Sequence, residues 1–181
     1  MKEPYPQRRD PRLKGWNYGQ NGAYFITICT KNRDLTLGTV VGGDAHIAPH
    51  VRLTALGELA RSYLLSVPSI LKFVVMPNHV HFIVALENGP MWASTPTGTG
   101  AEPEGGPMWA SAPTGADAKP AVTIPKLVRS YKTLVTKACG VPVWQRGYHD
   151  HIIRTDEEFR RIWTYVDNNP LKWELDEYYT E

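Results

Sequence analysis

Cysteine is all but missing from this chain: Cys29 and Cys139 stand far apart, and no CxxC occurs. That argues against a zinc ribbon and against a disulfide framework. No apolar run is long enough to span a bilayer, and no signal-peptide core is present. A soluble cytoplasmic protein with no membrane partner is therefore expected. Net charge is also small, +2 over 181 residues. A value that low does not by itself point to a nucleic acid; the distribution does more. Acid is missing from residues 124–148, which carry Lys126, Arg129, Lys132, Lys137 and Arg146. Residues 1–22 add Lys2, Arg8, Arg9, Arg12 and Lys14, and read as a basic, extended arm. The acids collect instead around Glu102 and Glu104, in Asp156-Glu157-Glu158, and in a tail at 174–181.

What is present organises one domain over residues 23–173, long enough for a sizeable core. Ala23 to Thr30 is β-branched and aromatic, the pattern of a strand. Leu53 to Val67 has helical spacing. Leu71–Met76 and His79–Leu86 read as a hairpin about Pro77-Asn78. Pro125 opens a helix that Cys139-Gly140 ends. A short strand at 149–154 precedes Thr155-Asp-Glu-Glu158, a capping box that starts a helix with Phe159, Ile162, Trp163 and Val166 on its buried face and Pro170 at its end. The order β-α-β-β-α-β-α predicts an α+β fold: a ferredoxin-like antiparallel sheet with helices packed on it and an added C-terminal helix. Residues 88–120 hold a duplication, Pro90-Met-Trp-Ala-Ser-Thr-Pro-Thr-Gly98 and Pro107-Met-Trp-Ala-Ser-Ala-Pro-Thr-Gly115. Rich in Gly, Pro, Ser and Thr, this stretch cannot supply a core and reads as a flexible surface insertion.

The chemistry starts at His79-Val80-His81. Alternation along a strand puts both imidazoles on one face and sends Val80, Phe82, Val84 and Leu86 to the other. Two buried rings need partners, and a shared divalent metal is one. On the last helix, Tyr165 lies about 110° from the centre of the core stripe, and Asn169 about 40° from Tyr165. The two therefore share a flank, where a phenol can reach a site and an amide oxygen can meet a hard cation. A metal on His79, His81 and Asn169, with Tyr165 attacking a phosphate, makes a plausible nuclease centre. Each piece also has an ordinary structural explanation, and only their joint spacing favours chemistry.

Val75-Met-Pro-Asn-His-Val-His-Phe-Ile-Val84 resembles the HUH motif of single-tyrosine transposases. Val143-Trp-Gln-Arg-Gly-Tyr-His-Asp-His-Ile-Ile-Arg154 and Tyr165-Val-Asp-Asn-Asn-Pro-Leu-Lys-Trp173 resemble the branch called REP-associated tyrosine transposases, as do Arg12–Tyr18 and Gly22–Thr30. The resemblance implies an HUH domain that cuts and joins single-stranded hairpin DNA with Mg²⁺ or Mn²⁺ through a 5′-phosphotyrosine. It places the metal histidines on His79 and His81 and the nucleophile on Tyr165. The wider family often carries Gln where this chain has Asn169, one methylene shorter, so His149, Asp150 or His151 are alternative third ligands. DNA contacts are expected from Arg8, Arg9, Arg12, Lys14, Lys126, Arg129, Lys132 and Arg146, and a monomer is expected. Two other functions fit the same residues: a non-catalytic hairpin binder, and a phosphoesterase that needs no tyrosine.

Overall fold

In the computed structural model, residues 17–19, 21–43, 48–86 and 122–180 are described. The basic cluster from Arg8 to Lys14 and the duplicated insertion lie outside them. Four strands form one antiparallel sheet: β1 (Gly22–Cys29), β4 (Ile70–Val75), β5 (His79–Leu86) and β6 (His149–Ile153), in the order β4-β5-β1-β6. With α1 (Ala55–Leu65) and α2 (Ile124–Cys139) in the connections, this is the ferredoxin-like arrangement expected. A third helix, α3 (Asp156–Asn168), follows β6, and a 3₁₀ segment, Pro170–Leu175, follows α3. No helix among the described residues is long and apolar enough to cross a membrane.

The alternation of β5 decides which helix covers which face. Val80, Phe82, Val84 and Leu86 join Ile26 and Ile28 of β1 in the larger core, beneath Ala60 and Leu64 of α1 and Leu127, Val128, Tyr131 and Val135 of α2. Ile83 lies on the opposite face with Ala23 and Ile153, under Ile162 and Val166 of α3. Phe159 and Trp163 pack at the edge of that second cluster, so the core stripe of α3 is the one the sequence predicts. The sheet is thus sandwiched, with α1 and α2 on one side and α3 on the other.

Local chemistry sets the ends. Thr155 caps α3 by accepting the Glu158 N–H, while the Glu158 carboxylate takes the Arg154 N–H, one residue further back than a capping box requires. Gly140 ends α2 in the left-handed conformation at φ 76°. Helix α1 starts later than its spacing suggests, because Thr54 caps it through the Gly57 N–H and Leu53 belongs to a strand. That strand, β3 (His50–Leu53), pairs with β2 (Gly38–Val41) in a small hairpin that the sequence reading does not anticipate. Each strand has four residues, too few for a period-two signal to stand out.

A close approach to α1 lies just before the hairpin, at Leu37. A Cβ on Gly57 would lie 1.9 Å from the Leu37 carbonyl oxygen, a backbone atom that already accepts the Thr54 N–H. Gly57→Ala should therefore destabilise the protein by at least about 2 kcal/mol, against the slight gain expected of Ala in an open helix. Thermal denaturation checks this; an unchanged melting temperature would contradict it.

Candidate active site

His79 and His81 sit on the central strand β5, opposite Cys29 and Thr27 of β1, on the face covered by α3. Both are buried, with 0% and 1% exposure, and their ring centroids are 4.4 Å apart. Asn78 directs the first ring. Its Nδ2 donates to the Tyr178 carbonyl at 2.7 Å, which turns Oδ1 towards His79 Nδ1 at 2.8 Å. Nδ1–H donates in that pair, so Nε2 carries the lone pair. That atom is buried and has no hydrogen-bond partner among the described residues. His81 Nδ1 lies 2.8 Å from Thr27 Oγ1, and its Nε2 lies 3.3 Å from the Tyr165 hydroxyl.

Burial pushes His79 down to about 4; the Asp176 carboxylate opposes the shift and Arg33 adds to it. Burial, then the neighbouring His79, holds His81 well below the usual imidazole range. Both rings are thus neutral in the fold, as metal ligands must be. An unfolded histidine takes up its proton near ~6.5. The stability due to this neutral pair is therefore fully present above that pH and is lost as pH falls towards 4, the His79 value. In chelator, the melting temperature should fall across this window, and less steeply in the His79→Asn/His81→Asn double variant. Equal slopes would contradict the assignment.

Tyr165, on α3, and Asn169, just beyond its end, meet at the same place. The Tyr165 hydroxyl donates to Asp176 Oδ2 at 3.0 Å, and Asn169 Nδ2 donates to the same oxygen at 2.8 Å. Burial, then the Asp176 charge and hydrogen bond, raise the Tyr165 phenol above its usual range and keep it protonated. Asn169 is 1% exposed, and its Oδ1 has no partner among the described residues. Asp176 Oδ1 accepts the Tyr178 N–H at 2.8 Å. Ligand atoms of His79, His81 and Asp176 lie within 4.8 Å of one another. Two buried lone pairs without partners, on His79 Nε2 and Asn169 Oδ1, beside a second imidazole and a carboxylate, suit a divalent cation. Aromatic rings wall this set. Phe25 stacks on His81 at 5.0 Å, and Tyr178 lies 4.8 Å from His79.

The alternatives on β6 divide. Asp150 pairs with Ile26 and so faces the larger core, away from the histidines. His149 and His151 are on the histidine face, opposite Thr27 and Phe25. His151 Nε2 is engaged by Glu158 at 2.6 Å, and His149 lies 6.1 Å from the Tyr178 ring. None of the three joins the cluster. Asp176, which does, reads in the sequence only as part of an acidic tail, and no pattern there marks it. Lys132 donates to the carbonyls of Gln145 and Gly147, so its ammonium is occupied by the protein. Trp144 packs at 9% exposure, 5.5 Å from the Tyr131 ring. Lys126 and Arg129 are exposed on α2, across the sheet from the histidines, and Arg146 is exposed in the loop before β6.

No family model matches the chain. An uncharacterized protein of Haemophilus influenzae is 31% identical over 186 residues, spanning 96% of this chain and 94% of its own. Among solved structures, the REP-associated tyrosine transposase bound to a REP hairpin superposes with a TM-score of 0.51 at 22% identity, over 95% of this chain and 74% of that one. The chain therefore belongs to the family of the Haemophilus influenzae protein and has the fold of the REP-associated, HUH-type tyrosine transposase that its motifs resemble.

Proposed function

We propose that the protein is a metal-assisted tyrosine transposase that nicks and rejoins single-stranded, hairpin-forming DNA. The observation that carries this reading is the Tyr165 hydroxyl, 3.3 Å from His81 Nε2 and 3.0 Å from Asp176 Oδ2. A tyrosine that is 37% exposed, with its hydroxyl beside a buried imidazole and a carboxylate, is more than packing alone requires. The HUH motif on β5 and the shared fold support the same conclusion, and the hairpin in the related structure supports the substrate class.

Tyr165 Oη attacks the phosphorus of one phosphodiester. The bond from phosphorus to the 3′ oxygen breaks, leaving a free 3′-hydroxyl end and a 5′-phosphate esterified to the tyrosine. The phenolic proton passes to Asp176 Oδ2, its hydrogen-bond acceptor in the structure. The departing 3′ oxygen takes its proton from water. Attack of a 3′-hydroxyl on the phosphotyrosine reverses the sequence and joins strands. His79 Nε2, His81 Nε2 and an oxygen of Asn169 or Asp176 would hold Mg²⁺ or Mn²⁺, which when bound supplies Lewis-acid stabilisation of the phosphate charge. Asn78 and Thr27 hold the two rings in place throughout. The tyrosine of the chain reaches its own histidines, so a monomer is a complete catalytic unit.

Lys126 and Arg129 are on α2, on the other face of the sheet from Tyr165; with the N-terminal arginines they would hold the hairpin stem. Incubating the protein with labelled hairpins from host repeats, plus Mn²⁺ or Mg²⁺, tests the reading. A covalent protein–DNA band on a denaturing gel is expected. Hairpin binding with no such band would make the protein a binding module instead.

A further inference from the structure

Tyr165 has a second neighbourhood, on its solvent side. The face of α3 opposite the core stripe carries Arg160, Arg161, Thr164 and Asn168, and Lys172 follows in the 3₁₀ segment. With Tyr165 these residues line an open cavity of about 470 Å³. That is within the range of small-ligand sites. No acid lines it. Arg160 and Lys172 form no salt bridge with a described residue. Arg161 has only a 3.7 Å approach to Glu158, whose carboxylate already serves His151 and the Arg154 N–H. The nearby Asp167 is taken by Lys72. Three cations thus surround a cavity that shares a wall with the tyrosine, and no carboxylate reaches into it.

We infer that this cavity holds a nucleotide flanking the scissile phosphate, its phosphodiester on Arg160, Arg161 and Lys172. The inference rests on the proposed function and adds to it where the reacting strand runs. Guanidinium groups bind phosphate oxygens in pairs, and a lysine adds a point charge. Thr164 and Asn168 offer hydrogen bonds to sugar or base at the same wall. A strand held here on the outer face of α3 keeps the tyrosine-linked end close while the other end departs. Sequence composition does not mark these residues as a DNA site, because the acids Asp156, Glu157 and Glu158 precede them on the same helix and cancel the local charge.

The test compares two probes: a bare repeat hairpin, and the same hairpin with a short single-stranded flank. Affinity is measured against salt for the wild type, for Arg160→Ala/Arg161→Ala/Lys172→Ala, and for Arg160→Lys/Arg161→Lys. The alanine variant should bind the flanked probe at least about tenfold more weakly at low salt, and lose about 2 from the slope of log affinity against log salt. Its binding of the bare hairpin should not change, which also shows that it is folded. The lysine variant should keep most of the slope. An equal loss on both probes, or no loss on either, overturns the inference. If the wild type forms the covalent adduct yet gains nothing from the flank, the inference fails while the proposed function stands. If the wild type binds neither probe, both fail.

Discussion

Tyr165→Phe should abolish the covalent protein–DNA adduct and lower strand cleavage by at least about 10³-fold, while leaving hairpin affinity within a factor of two or so. The substitution removes one oxygen and keeps the ring, which is edge-on to Phe25 at 6.0 Å. Tyr165 is 37% exposed as a residue, so the loss of its hydroxyl costs the fold little. Asp176 and His81 each lose one hydrogen bond but keep the others. Denaturing gels for the adduct and fluorescence anisotropy for binding separate the two effects. Undiminished cleavage would mean that an activated water does the chemistry, as in a phosphoesterase.

His81→Ala should have the second large effect, on metal affinity and on cleavage together. His81 is central: its Nε2 faces Tyr165, its ring lies against His79, and Phe25 stacks on it. Without it, a cation loses one of two nitrogen ligands. Mn²⁺ affinity measured by titration calorimetry should fall at least about tenfold, and cleavage at least about 10²-fold. The change also empties part of a buried layer and leaves Thr27 Oγ1 without the partner it has at 2.8 Å, so a loss of stability accompanies it. Retained binding of the bare hairpin shows that the fold survives. Unchanged Mn²⁺ affinity would contradict the placement of the metal.

The parts of this site legible in the sequence are those governed by short periods. Period two along 79–86 puts the histidines on one face and the valines on the other, and the pairing with β1 and β4 agrees. The 100° step of α3 puts Tyr165 and Asn169 on one flank, and both reach the Asp176 carboxylate. Asp176 itself was not legible, because the chain has left regular structure by then and no periodicity says where it turns. Its place depends on the 3₁₀ segment after Pro170 and on Tyr178 packing back over the histidines. The role of Asn78 was hidden for a related reason. As a turn residue before β5 it needs no function, and only its contacts with Tyr178 and His79 reveal one. Among the basic residues, composition separated charged stretches but not faces: α2 carries the acid-free run, yet α3 carries the cations beside the tyrosine.

In the proposed reaction Tyr165, and no other group, takes the DNA. The most direct measurement is mass spectrometry of the adduct after protease and nuclease digestion. A nucleotide is expected on the peptide that contains Tyr165. The same mass on a peptide containing Tyr178, whose ring lies 4.8 Å from that of His79, would contradict it.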